Sequence, residues 1–291
     1  MPVQRFFCFL FLFLFLACPA LGESRVVNLF ADPEAVYQLR EDVPILEIDF
    51  PSIAGCDACL LRMEGQTMLI DAGSTSMASM SLLPMLRSLG ITHVDIAFNT
   101  HPHDDHIDGF LLLLESGITF GEFQYCQDPS TDWRLQHTLR IIREAGIPTR
   151  RMVDGDVVHF GRATVSISER KRTDFTLNDL SGVTLVEYGE CRYLGTGDIE
   201  NRAQSMFLDN PPAAGMQAQI LKHPHHGYAR MVPELLDMIQ PELCILTGLK
   251  AEISQAVRFL EQKSISWIRP WENPIRIRCD GNVFIVDPLL F

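Results

Sequence analysis

Three imidazoles and three carboxylates fall within residues 101–108, directly behind the apolar run His93-Val-Asp-Ile-Ala-Phe98. A buried strand that stops in such a cluster must deliver its loop to a place where charge is compensated, because packed His and Asp side chains tolerate burial only when paired or holding a cation. The spacing His101-x-His103-x-Asp105-His106 offers ligands for two adjacent metal ions. Imidazole with carboxylate is the donor set of zinc, iron or manganese. A fold that uses this loop therefore has to bring other strand ends to it.

Three further segments end apolar runs in a similar way. Leu69-Ile-Asp71-Ala-Gly73 leaves a carboxylate at a strand end, Gly195-Thr-Gly197-Asp198 does the same after Arg192-Tyr-Leu194, and Lys222-His-Pro-His225-His226-Gly227 closes another strand with three imidazoles. An Asp-Gly pair alone reads as a turn. Four such segments in order read as one site. His93, His137 and His159 are isolated, His223 is two residues early for the paired histidines, and Asp104 reads as a solvated loop residue.

The hydrophobic pattern supplies the frame. Period-two or continuous apolar runs predict strands over 45–50, 59–63, 67–70, 93–98, 157–159, 163–167, 183–187, 191–194, 218–222, 243–246, 275–278 and 283–286. Helical spacing covers 76–89, with Ser76 as its cap, and 107–115, 132–145, 233–239 and 253–263. Two halves rich in strand and helix, without a long linker, predict a four-layer αββα sandwich of α/β class over residues 45–291, preceded by a lead-in over 23–44.

These motifs resemble the metallo-β-lactamase superfamily, and within it the secreted domains related to the competence DNA-uptake (ComEC-like) proteins. Cys59 to Gly73 resembles their paired opening strands, Asn99 to Gly109 their metal loop, Asn178-Asp-Leu-Ser181 their Asn-x-x-Ser, and Gly197-Asp198 and His225-His226-Gly227 their later motifs. The resemblance implies that His101 and His103 bind a first metal, that Asp105 and His106 bind a second with a histidine from His225-His226, and that Asp198 bridges both. Asp105 and Asp198 are then the catalytic carboxylates, and Asp71, Asn178 and Ser181 support the ligands from behind. It also implies two divalent metal ions, zinc first and manganese second, and a water-activating hydrolase of phosphodiesters. Lactonase, esterase or β-lactamase chemistry and a non-catalytic binding protein are the alternatives. The chain departs from the pattern where a third histidine of the first site is usual, at Tyr228, where the subgroup often has Ser, and around Gly248-Leu-Lys-Ala.

Charge and the N-terminus narrow the setting. Arg5, the unbroken run from Phe6 to Leu16 and the small residues before Glu23 have the form of a secretory signal peptide over residues 1–22. An uncleaved anchor and a lipoprotein acylated at Cys18 are the alternatives, and no internal run is long enough for a channel. Cleavage moves the formal net charge of −13 to −14. That acidity argues against an extended nucleic-acid footprint and favours a small-molecule or wall-linked substrate; no protein partner can be inferred. Six cysteines follow residue 22, and export permits disulfides without selecting a pairing; Cys56-Asp-Ala-Cys59 reads as a buried or bonded pair. Intact-mass measurement of the exported protein is expected to find a chain beginning at Glu23, whereas an intact Met1 on cytoplasmic material overturns export.

Overall fold

A strand buried on both faces sends alternate side chains to two different cores, so apolar runs without polar alternation imply layers on either side. The computed structural model of the chain, which describes residues 25–35 and 37–289, bears this out. The expected signal peptide lies outside the described residues. One sheet of nine strands runs, in spatial order, β1 (Val26–Asn28), β16 (Phe284–Pro288), β15 (Ile275–Cys279), β2 (Leu46–Phe50), β3 (Ala58–Met63), β4 (Gln66–Ala72), β5 (His93–Asn99), β6 (Thr119–Tyr125) and β7 (Thr149–Arg151). The second, of seven strands, runs β14 (Ser266–Ile268), β13 (Leu243–Ile245), β12 (Ile220–Lys222), β11 (Cys191–Gly195), β10 (Val183–Tyr188), β9 (Ala163–Ser168) and β8 (Val157–Phe160).

Between the sheets lie Ile48, Phe50, Leu61, Ile70 and Phe98 from the first and Val165, Ile167, Tyr193, Ile220 and Ile245 from the second. Their neighbours Leu60, Leu69 and Ala97 point the other way, under helices α1 (Thr75–Met77), α2 (Leu83–Ser88), α3 (Asp104–Glu115) and α4 (Trp133–Glu144). Leu194, Leu221 and Cys244 likewise face helices α5 (Asn201–Asp209), α6 (Pro233–Ile239) and α7 (Ser254–Gln262). The result is the expected αββα sandwich. Each fully buried Leu, Ile or Phe contributes about 1.5–3 kcal/mol relative to exposure, and dozens of them hold the layers together.

One flank of each sheet is parallel: β4 to β7 in the first and β11 to β14 in the second. Parallel neighbours end on one edge, where α/β sheets present their binding residues. Asp71, Asn99, Gly195 and Lys222 all lie at such ends.

Several local expectations change. Helix α3 begins at Asp104, so Asp105 and His106 stand on its first turn instead of in a loop. Ser74, and not Ser76, caps the helical stretch at 75–88 through Met77 N, and Ala78–Leu82 in its middle is π-helical. Val26–Asn28, read as part of a lead-in, pairs in parallel with β16. Three residues are too few for periodicity to register. β6, β7, β14 and α5 were not anticipated; β6 and α5 carry mixed polar residues, Thr119-Phe-Gly-Glu and Asn201-Arg-Ala-Gln, that mask the burial of Phe123 and Phe207.

Gly109 sets how closely α3 approaches the end of β4. A Cβ built there would lie 2.0 Å from the Ala72 carbonyl oxygen, and its N–H donates to Gly73 O at 2.9 Å. Gly109→Ala is expected to lower stability by about 1–3 kcal/mol in chemical denaturation, since backbone and not a flexible side chain must yield. A loss below about 0.5 kcal/mol would show that the helix position is not set by this contact.

Candidate metal centre

Asp71 organises the strand ends. At the close of β4 its backbone turns to a φ of 55°, a left-handed conformation that costs a non-glycine residue of order 1–3 kcal/mol. There its carboxylate accepts four hydrogen bonds, from Asn99 Nδ2 (3.0 Å), Thr100 N (2.8 Å), Thr100 Oγ1 (2.6 Å) and His106 Nδ1 (2.7 Å). The loop after β5 is thereby tied to β4. The His106 ring is also oriented so that its Nε2 faces inward, where it lies 3.3 Å from Asp198 Oδ2 without a hydrogen-bond partner.

Asp198 arrives from the other sheet. After β11 the chain turns at Gly197, with φ at 51°, and the Asp198 amide donates to Ser181 Oγ at 3.1 Å. One carboxylate oxygen, Oδ2, then stands 3.3 Å from His106 Nε2, 3.3 Å from His226 Nε2, 3.8 Å from His101 Nε2 and 3.8 Å from His225 Nε2. His226 Nε2 also meets Asp105 Oδ2 at 3.0 Å, and His101 Nε2 faces His103 Nδ1 at 3.1 Å. His225 and His226 reach these positions through consecutive left-handed conformations, φ 48° and 57°.

Each residue singled out in the sequence can now be placed. His101, His103, Asp105, His106, Asp198 and His226 lie together, and His225 stands at their half-buried margin with Nδ1 3.5 Å from Glu200. Ser181 holds the Asp198 backbone, while Asn178 bonds Glu200 instead of the cluster. His223 is buried away from it against Pro224 O, Asp104 is exposed, and His93, His137 and His159 lie on the surface. The six described cysteines after residue 22 are all buried free thiols, Cys56 beside Ser74 Oγ at 3.4 Å.

Three residues escaped the sequence reading. Asp57, just before β3, accepts hydrogen bonds from Thr247 Oγ1 (2.6 Å) and meets His226 Nδ1 at 3.1 Å. Lys222, buried at the end of β12, pairs with Asp57, donates to Gly197 O at 2.9 Å and lies 3.4 Å from Asp198 Oδ1. Thr247 follows β13 and also contacts His226 Nδ1, at 3.0 Å. The only signal for Asp57 was a lone carboxylate in the apolar stretch from Cys56 to Leu61, and Lys222 looked like an ordinary strand end.

The electrostatics follow from this packing. Burial pushes the Asp57 carboxyl up, but Lys222 and His226 outweigh it and hold it well below the usual carboxylate range. Against the same upward push, His226, His106 and Lys222 depress Asp198, and His226 and His106 bring Asp105 to about 2. Burial drives His101 below the ordinary imidazole range, aided by His106. Burial pushes His106 and His226 down, but Asp198 and the other carboxylates beside them outweigh it and hold both well above the ordinary imidazole range. His101 is thus neutral and Asp105 and Asp198 ionised, as metal ligands require, while His106 and His226 each have a proton to give up when a cation enters.

Asp57, His106, Asp198 and His226 offer ligand atoms that all lie within 4.8 Å of one another. The orphaned His106 Nε2 and the facing nitrogens of His101 and His103 are what a divalent cation would satisfy, so the residues fit such an ion.

Comparison with known proteins agrees with this geometry. Residues 54–119, which hold Asp57, Asp71 and the whole His101–His106 loop, match the metallo-β-lactamase superfamily. ComE operon protein 3 of Bacillus subtilis (strain 168) is 24% identical over 257 residues, covering 78% of this chain and 32% of that protein, so the chain spans about a third of this relative's length. The metallo-β-lactamase fold protein YhfI from Bacillus subtilis superposes with a TM-score of 0.55 at 11% identity, over 84% of this chain and 100% of that one. CmlA, a diiron β-hydroxylase from Streptomyces venezuelae, superposes with a TM-score of 0.53 at 14% identity over 86% of this chain and 55% of that one, little more than half its length. The chain has the metallo-β-lactamase fold, with a candidate metal-binding group of Asp and His side chains where its sheets meet.

Lys222→Met in metal-free protein is expected to cost about 3–5 kcal/mol, because it strands the buried Asp57 and Asp198 carboxylates. Adding Asp57→Asn should recover part of that loss, a double-mutant cycle read by denaturant unfolding. Strictly additive effects would show that the two charges do not depend on each other.

Proposed function

We propose that this chain is an exported, ComEC-like metal-dependent hydrolase that cleaves phosphodiesters in small-molecule or wall-linked substrates. The observation that carries the reading is the convergence of four histidine nitrogens on Asp198 Oδ2, with Asp105 across from it. His101 and His103 suit one cation, Asp105, His106 and one of His225 and His226 suit a second, and Asp198 reaches both. Zinc is the first candidate and manganese the second, since a first site short of one histidine leaves room for oxygen ligands. Two divalent cations held there would supply a water activated near neutral pH and polarise the bond it attacks.

The chain's own residues do the rest. Asp71 aims His106, and Ser181 and Lys222 hold Asp198 from behind so that Oδ2 alone faces the imidazoles. Asp57 and Thr247 fix the ring of His226 through its Nδ1, leaving Nε2 for the site. A cavity of about 470 Å³ opens beside His225 and is lined by Tyr228, Arg202 and Arg230. The same lining carries Asp179 and Glu200, and Arg202 is paired with Asp174, so the support this cavity gives an anionic substrate rests on Arg230. Tyr228 packs against both His225 and His226, and its hydroxyl accepts the Leu249 amide, which sets one wall of the cavity.

Purified metal-replete protein is expected to hydrolyse bis(p-nitrophenyl) phosphate, and Asp198→Ala to reduce kcat/KM by about 10³-fold while the fold persists. His137→Ala, on the exposed face of α4, should stay within about twofold of the parent. Metal content is measured for each variant. Unchanged turnover per folded Asp198→Ala molecule, or hydrolysis of lactones and cephalosporins but no phosphodiester, overturns the proposal.

A further inference from the structure

The edge of the sandwich remote from the metal centre brings two cysteines together across the two sheets. Cys191 is the first residue of β11, whose other end leads to Asp198, and Cys279 is the last of β15. Both thiols are buried in the core between the sheets, at 1% and 0% exposure, and Cys279 is the largest influence on the Cys191 thiol, which it and burial push far above the usual thiol range. The backbone around them is built for this approach. The turn joining β10 to β11 touches the turn joining β15 to β16: Glu190 N donates to Gly281 O at 2.7 Å, and a Cβ on Gly189 would stand 2.2 Å from that same oxygen. Gly281 lies against the ring of Tyr188, and its amide donates to Cys279 Sγ at 3.2 Å. A side chain at Gly189 would collide with the Gly281 backbone, so the two turns could not meet this closely.

The other described cysteines have different surroundings. Cys56 meets Ser74 Oγ, Cys59 packs in the same core cluster as Tyr193, Cys126 packs beneath Gly182, and Cys244 faces the helices of the second sheet.

We propose that Cys191 and Cys279 form a disulfide that staples the nine-stranded sheet to the seven-stranded sheet. The reaction is a thiol–disulfide exchange with a small disulfide or a dithiol oxidase. Both S–H bonds break, the Cys191 Sγ–Cys279 Sγ bond forms, and two protons and two electrons reduce the oxidant's disulfide to two thiols. Burial of both sulfurs means the exchange completes while the sheets are docking. The bond closes a loop of nearly ninety residues, so it constrains the unfolded chain strongly. Its position matters for the metal centre, because His101, Asp105 and His106 come from one sheet and Asp198 and His226 from the other.

The test refolds the purified chain in a glutathione redox buffer, blocks free thiols with N-ethylmaleimide in denaturant and digests with trypsin without reductant. The expected product is peptide 173–192 joined to peptide 279–291, about 2 Da lighter than the two free peptides together. Reduction with a phosphine should then lower the Tm of the wild-type chain by about 10 °C, and the Cys191→Ala/Cys279→Ala variant should melt at one temperature with or without it. Alkylation of both thiols, a link from either to another cysteine, or a reductant-insensitive wild-type Tm overturns the proposal; none of these outcomes bears on whether the metal centre hydrolyses phosphodiesters.

Discussion

Asp57, Asp71 and Asp198 are carboxylates with almost no access to water, and the seam between the sheets tolerates them only because cationic or proton-donating groups meet each one. Lys222 is the central compensating group: a single ammonium reaches Asp57, the Gly197 carbonyl and the back of Asp198. Asp71 is met instead by an amide, a hydroxyl, a side-chain amide and an imidazole. Between these anchors the inward-facing oxygens and nitrogens are left aimed at one another, with His106 Nε2 3.3 Å from Asp198 Oδ2 but without a hydrogen-bond partner. A divalent cation is the natural occupant of such a space, and the two sheets have to stay in register for it to exist.

The backbone at the site shows where local preference has been overruled. Asp71, His225 and His226 all adopt left-handed conformations that disfavour side chains. Each carries a residue whose side chain is held at the cluster or its margin, so hydrogen bonding and packing offset the local cost. Glycines at 73, 197 and 227 adopt the same kind of conformation beside them without that cost. Strain and function coincide here, as expected where a site demands geometry that the chain would not choose alone.

How far this was legible beforehand depended on the kind of signal. Strands such as β4 and β5 announced themselves because Met68-Leu-Ile and Ile96-Ala-Phe are apolar on both faces, and the clustering of His101 to His106 behind β5 pointed to metal chemistry. The two-sheet sandwich followed from those runs. By contrast, β1, β7 and β14 are three residues each, too short for a period to show. The helix start at Asp104 was hidden because acidic residues in a first helical turn look the same as a solvated loop until the helix dipole they complement is known. Asp57 and Lys222 were hidden for another reason. They are 165 residues apart, and only the pairing of β3 with β4 and the placement of β12 across the seam make them partners. Long-range charge compensation has no local pattern.

Hydrolysis at this seam requires two cations astride Asp198. Anomalous diffraction from crystals of the metal-replete protein, collected above and below the absorption edges of zinc and manganese, measures this directly. Two peaks about 3.5–4 Å apart, on either side of Asp198 Oδ2 and next to the rings of His101 and His106, are the predicted result. Crystals with no peak within reach of Asp198, or with ordered metal only at the protein surface, would contradict it.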